Sequence, residues 1–208
     1  MKIMRGFALF GVLLVALSGS SANANLIFNG SFETPFDGSH WTGNIITPGS
    51  AAGYHPNSAT DGSYIMGFGG GANPPPPAGY IVQEFSTVVG QQYQLEFDYG
   101  AYGGPVFQYM RVTVLGQSTI LDEVVSHISH LGHTTPNQIH AWETQIFLLT
   151  ADSSLSVITF ADISDPYLGH STDSAIDRVS IVLVPEPSTA LLLGLGLAGM
   201  AAGRRRIR

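Results

Sequence analysis

The chain has 208 residues, of which 44% are hydrophobic and only 11% charged, with 25 Gly, 12 Pro and no Cys. Fourteen of its 15 carboxylates lie between residues 25 and 183, where the only Lys or Arg side chains are Arg111 and Arg178; the other six crowd the two ends. So acidic a middle repels phosphate backbones and argues against nucleic-acid binding, while the lack of Cys excludes disulfides, thiolate catalysis and Cys-ligated zinc.

Residues 1–24 read as a secretory signal peptide. Lys2 and Arg5 precede a 12-residue apolar run over 6–17, and small residues follow, ending in Ala22, Asn23 and Ala24. The run is too short to span a bilayer comfortably, and the triplet fits an A-x-A cleavage site. Residues 25–184 are long enough for one domain with its own core.

No window of that domain holds a helical period. Short runs that alternate or are continuously apolar, bounded by Gly, Pro, Asn, Asp and Ser, predict strands over 26–32, 45–47, 63–68, 80–88, 92–99, 108–115, 119–125, 143–149, 155–161 and 175–184. The clearest is 92–99, where Tyr93, Leu95, Phe97 and Tyr99 share one face and Gln92, Gln94, Glu96 and Asp98 the other, one buried and one wet. Some ten short strands predict an all-β, two-sheet antiparallel sandwich, a jelly roll. Between the third and fourth, GGGANPPPPAG over 69–79 predicts a stiff polyproline II arm, either rimming a site or a tolerated surface insertion.

Three groups of side chains bear on chemistry. Glu96 and Asp98, about 6.6 Å apart along one strand, stand near the spacing of an inverting glycoside hydrolase, although simple alternation on a wet face also produces such pairs. His127, His130 and His133, with His140 beyond, could ligate zinc or copper from a helical turn, or simply form a solvated His-rich loop; Gly132 and Pro136 oppose a continuous helix. Aromatic residues outside the alternation include Trp41, Tyr54, Tyr102, Phe107, Trp142 and Tyr167. Sugars stack on exposed rings, and of these Tyr102, in the loop-like AYGGP, and Trp142 are the candidate carbohydrate-binding pair, with core packing the alternative for each tryptophan.

The C-terminus has three parts in order. Val184, Pro185, Glu186, Pro187, Ser188 and Thr189 lead into an apolar stretch over 190–203, closed by Arg204, Arg205, Arg206 and Arg208. The prolines keep Glu186 on an extended, accessible segment. As a helix the stretch reaches about 21 Å, short of a hydrocarbon core of about 30 Å, and its arginines belong on the cytoplasmic side. This tail resembles the PEP-CTERM sorting signal of Gram-negative bacteria. The resemblance implies recognition of Pro185, Glu186, Pro187 and Ser188 by an integral-membrane exosortase. It further implies a transient hold in the inner membrane through residues 190–203 and delivery to the cell surface or extracellular polysaccharide matrix. An ordinary anchor behind a proline-rich linker would be expected to span fully.

The domain itself resembles galactose-binding-like jelly rolls, including the carbohydrate-binding modules attached to bacterial xylanases. The residues that carry this are NLIFNGSFE over 25–33 with Trp41, DGSYIMG over 61–67, VQEFSTVVGQQYQLEFDY over 82–99 and AIDRVSI over 175–181, with Arg178 in place of that family's second closing Asp. The resemblance implies a structural calcium ion held by Glu33 and Asp177, and no other cofactor. Two carboxylates from opposite ends of the chain, joined by turn carbonyls, suit a hard cation that needs several oxygens. The expected protein is therefore secreted, non-catalytic and associated with polysaccharide. The alternatives are a glycan-active enzyme using Glu96 and Asp98, and a purely structural matrix protein.

Overall fold

The computed structural model describes residues 24–34, 40–44, 59–68, 79–103, 107–128, 142–164 and 172–185. The expected signal peptide up to residue 23, the strand at 45–47, the proline arm over 69–78 and the tail beyond Pro185 lie outside the described residues.

Nine strands form among the described residues: β1 (Thr42–Gly43), β2 (Met66–Gly67), β3 (Gly79–Ser86), β4 (Gln92–Gly103), β5 (Phe107–Leu115), β6 (Thr119–Ile128), β7 (Trp142–Thr150), β8 (Leu155–Asp162) and β9 (Thr172–Leu183). They build two antiparallel sheets, one ordered β1-β3-β8-β5-β6 and the other β2-β9-β4-β7. The architecture is the expected antiparallel β-sandwich of jelly-roll type. Its core is set by period-2 alternation: Tyr93, Leu95, Phe97 and Tyr99 of β4 are buried against Ile158 and Phe160 of β8 and Met110, Val112 and Val114 of β5. Phe97 meets Phe160 edge-on at 5.0 Å between centroids, and Trp41, also in the core, lies 6.2 Å from Phe160 and 5.8 Å from Phe32. Such offset and edge contacts add about 0.5–1.5 kcal/mol per pair beyond burial.

The strand expected over 26–32 does not form. The segment is a chain of turns with Asn29 and Phe32 at φ 50° and 56°; side-chain amides, together with two separate backbone bonds to β9 (Leu26 N to the Ile181 carbonyl and Val179 N to the Gly30 carbonyl, both 2.9 Å), fasten it down. Asn25 accepts from the Ile181 amide (2.9 Å) and donates to the Val179 carbonyl (3.1 Å), imitating a strand partner for β9. Buried Gln83 does the same for Phe28, accepting from its N–H (2.7 Å) and donating to its carbonyl (3.0 Å). Gly30 is required by close approach, since a Cβ there would stand 1.9 Å from the Val179 carbonyl oxygen. The run of apolar letters therefore encodes a plug along β9, with Ile27 and Phe32 in the core.

A β-bulge interrupts β9. Pairing with β4 jumps from Glu96–Ser180 to Asp98–Asp177, so that Phe97 faces two residues, Arg178 and Val179. Arg178 takes a left-handed φ of 52°. The extra residue turns the Arg178 side chain out while Ile176, Val179 and Ile181 all stay buried, which strict alternation would forbid.

Candidate functional site

The bulge organises the outer face of the four-stranded sheet. The Arg178 guanidinium donates to both carboxylate oxygens of Asp98, from Nε to Oδ2 at 2.9 Å and from Nη2 to Oδ1 at 2.8 Å, and from Nη1 to Glu96 Oε1 at 2.5 Å. The Thr144 hydroxyl donates to Asp98 Oδ1 at 2.6 Å. Asp98 is buried, a correction to the wet face expected for it: the arginine and the neighbouring strand cover it. Burial pushes its carboxyl up, but the hydrogen bonds from Arg178 and Thr144 and the guanidinium charge outweigh that and lower it from 3.8 to about 2. Arg178 thus engages both Glu96 and Asp98 and clamps β4 to the bulge of β9.

Beside the clamp, Glu33 and Asp177 converge on one loop from opposite ends of the chain. Asp177 Oδ2 accepts from the amides of Thr60 (2.6 Å) and Asp61 (2.9 Å) and from the Thr60 hydroxyl (3.1 Å), and Oδ1 accepts from its neighbour's amide, Arg178 N (2.7 Å). Glu33 Oε1 accepts from the amides of Ser63 (2.6 Å) and Tyr64 (2.7 Å). Burial pushes the Asp177 carboxyl up against these bonds. No side-chain cation among the described residues bonds to Asp177, because the guanidinium next to it is turned to Asp98 and Glu96. Two carboxylates thus share one loop, Asp177 buried and held by amide and hydroxyl donors with no cationic side chain among the described residues bonded to it. No group of three or more His, Asp or Glu side chains that could hold a metal forms among the described residues.

The other sequence candidates separate. Trp142 begins β7 and is half-buried against Ile65, Ala175 and Ala59, a small satellite of the core. Tyr102 lies within β4, opposite Asp173, and not in the loop expected there; the strand runs on to Gly103. His127 sits in β6 and not in a helical turn, its Nδ1 3.9 Å from Glu143 Oε2 and its ring edge-on to Tyr99. His130, His133 and His140 lie outside the described residues.

The outer face of the five-stranded sheet joins Phe107, one of the candidate rings, to Tyr109 and Tyr80, which sequence reasoning missed. Phe107 and Tyr109 are 53% and 41% exposed, with ring centroids 6.4 Å apart and planes 32° from parallel. The register runs a row across four strands, Tyr80 beside Ala161, Ala161 beside Arg111 and Arg111 beside Val124. Tyr80 and Val124 are exposed, and Arg111 is paired with Asp122. The parity of Met110, Val112 and Val114 was the available signal, since residues out of phase with them must face water.

Residues 183–206 match the model of the PEP-CTERM protein-sorting motif. The tail is a PEP-CTERM sorting signal. Such a motif marks a chain for export and surface sorting in Gram-negative bacteria, and here it begins on the last residue of β9. The described domain is similar in architecture to a CBM4 structure, at 14% identity and a TM-score of 0.49, covering 76% of this chain and 99% of that one. It is also similar to the CBM22-1 xylan-binding domain of Paenibacillus barcinonensis Xyn10C (11%, TM-score 0.48, 76% and 94% covered). The C-terminal family 22 carbohydrate binding module of Clostridium thermocellum Xyn10B is a third such structure (13%, TM-score 0.49, 78% and 96% covered). No curated protein matches the sequence.

The clamp makes stability depend on acid. Because the folded pKa of Asp98 is depressed, its contribution is complete above about pH 4 and is lost as pH falls through about 2, an effect of about 2 kcal/mol. Urea melts from about pH 5 to about pH 2 should show this loss, and Asp98→Asn should remove it. Arg178→Ala should cost about 2 kcal/mol at neutral pH, less than for a fully buried pair because the guanidinium is 39% exposed.

Proposed function

We propose that this protein is exported, sorted by an exosortase through its PEP-CTERM tail, and held at the cell surface or in the extracellular matrix by a sandwich that binds polysaccharide without turning it over. The observation that carries this reading is the sorting motif at 183–206, joined to the last strand with no intervening linker. In it, residues 190–203 hold the chain in the inner membrane until the exosortase acts at Pro185, Glu186, Pro187 and Ser188, with Arg204, Arg205, Arg206 and Arg208 on the cytoplasmic side. Replacing Pro185, Glu186 and Pro187 together with Ala should leave the chain in the inner membrane with its C-terminus intact by mass spectrometry. Release of that variant at the normal rate would end the sorting reading.

Binding is supported by the exposed rings of Phe107 and Tyr109, with Tyr80 across the same sheet, because the apolar faces of sugars stack on such rings. The non-catalytic reading is supported by the occupation of Glu96 and Asp98 by Arg178. Tyr109→Ala and Phe107→Ala should each weaken retention on the protein's polysaccharide about three- to tenfold with an unchanged melting temperature, as loss of a ring contact of about 0.5–1.5 kcal/mol requires. Trp142→Ala should instead lower the melting temperature, since that ring packs on Ile65 and Ala175. Retention lost in the Trp142 variant and kept in the other two would move the platform to the opposite sheet.

A calcium ion at Glu33 and Asp177 belongs to the same proposal. It would supply the charge that buried Asp177 lacks and tie the plug and the 60–64 loop to β9, with a purely structural role. The melting temperature should rise by several degrees between chelator and calcium, and Asp177→Asn should abolish that difference. Coincident melts of metal-free protein with and without calcium would exclude the ion.

A further inference from the structure

Strand direction gives the sandwich two unlike ends. β3, β5, β7 and β9 finish at the same end at which β4, β6 and β8 begin, and this end is closed by the turns 87–91, 116–118 and 151–154. The turns are fastened to one another. Gly90 donates to the Ala151 carbonyl at 2.7 Å, Ala151 to that of Gln91 at 3.0 Å, and the Thr87 hydroxyl to that of Ser153 at 2.7 Å. Asp152 accepts from the amides of Gln117 and Ser118 and from the Ser118 hydroxyl.

That rigid end is apolar at its tip. Val88 and Val89 are each 62% exposed, and Leu115 and Leu155 are exposed beside them. In a chain with 15 carboxylates, the three turns carry one charged side chain, Asp152, and both of its oxygens are already engaged. The chain also leaves the domain here. The last bond of the sheet runs from Val184 N to the Gln92 carbonyl at 2.8 Å, and the apolar stretch begins six residues later, no more than about 20 Å away fully extended.

We propose that this end of the sandwich is a membrane-docking surface. While residues 190–203 are in the inner membrane, Val88 and Val89 rest among the lipid headgroups of the outer-facing leaflet and the β-strands stand up from the bilayer. The proposal rests on the sorting reading, because the partner is the lipid surface into which that tail is inserted. Two valines bind lipid weakly on their own; a tether this short raises the effective concentration of the surface enough for weak contact to persist. Anionic headgroups, which repel the acidic remainder of the domain, meet almost no charge here. The docked orientation holds the Pro185 to Pro187 motif at the bilayer surface, within reach of an integral-membrane protease, and points the Phe107 end away.

The absence of Cys allows single-site labelling of the full chain. Val89→Cys and, towards the far end of the sandwich, Ser126→Cys would each carry an environment-sensitive fluorophore in protein reconstituted into vesicles of phosphatidylethanolamine and phosphatidylglycerol. Lipids bearing a quencher near the headgroup should quench the label at residue 89 several-fold more than the label at 126, and adding Val88→Asp should remove that difference. Equal quenching at the two sites, or none at 89 in protein that stays with the vesicles, would overturn the docked orientation and leave the anchor intact. Protein that does not float with the vesicles at all would overturn the anchor, and the docking proposal with it.

Discussion

The outer face of the four-stranded sheet depends on one arginine in a strained backbone position. Arg178 occupies a left-handed conformation that side chains other than Gly, Asn and Asp rarely adopt, and it is the extra residue of the bulge in β9. Two carboxylates, Glu96 and Asp98, stand on alternate positions of the adjacent strand, and without a cation their repulsion would be borne by a buried site. The bidentate contact with Asp98 and the third bond to Glu96 answer that repulsion and hold the bulge in place. By turning outward, Arg178 also leaves the neighbouring Asp177 to the amides of the 60–61 loop. The same residue therefore sets the phase of the core, the charge balance of the face and the surroundings of the carboxylate beside it.

Legibility in the sequence followed the strength of local patterns. β4 was plain because four aromatic and aliphatic residues alternate with four polar ones, and β3 and β5 to β8 were readable within two or three residues at each end for the same reason. The opening segment misled because Leu26, Ile27 and Phe28 look like strand, whereas its conformation is decided by Asn25, Gln83 and the backbone of β9, which lie up to 156 residues apart in sequence. The burial of Asp98 was invisible for a related reason. Alternation gives the face of a residue, but not what a bulge in the neighbouring strand sets over that face.

The candidate sites show the same division. The tail was legible because its message is linear, three features in order that need no partner. Glu33 and Asp177 were placed together by family resemblance, and the folded chain does bring both to one loop. Phe107 stood among the candidate rings from the start, whereas the exposed rings of Tyr80 and Tyr109 were within reach of parity but not of composition, since an aromatic residue in a strand reads as core until the phase of its neighbours is fixed. Trp142 illustrates the converse, an aromatic residue near a loop that the 59–65 segment partly covers.

The position of β9 in the chain has a temporal side. It is the last of the described strands in chain order, yet it lies inside its sheet, between β2 and β4, and the plug at the N-terminal end of the domain docks along it. The sandwich cannot close until residues near 183 have been made, and the sorting motif begins at that same residue. Completion of the fold and arrival of the address are thus a single event in chain synthesis. A chain broken off at any earlier point lacks the strand that shuts its core together with the signal that would dispatch it, so an unfinished molecule carries no ticket to the surface.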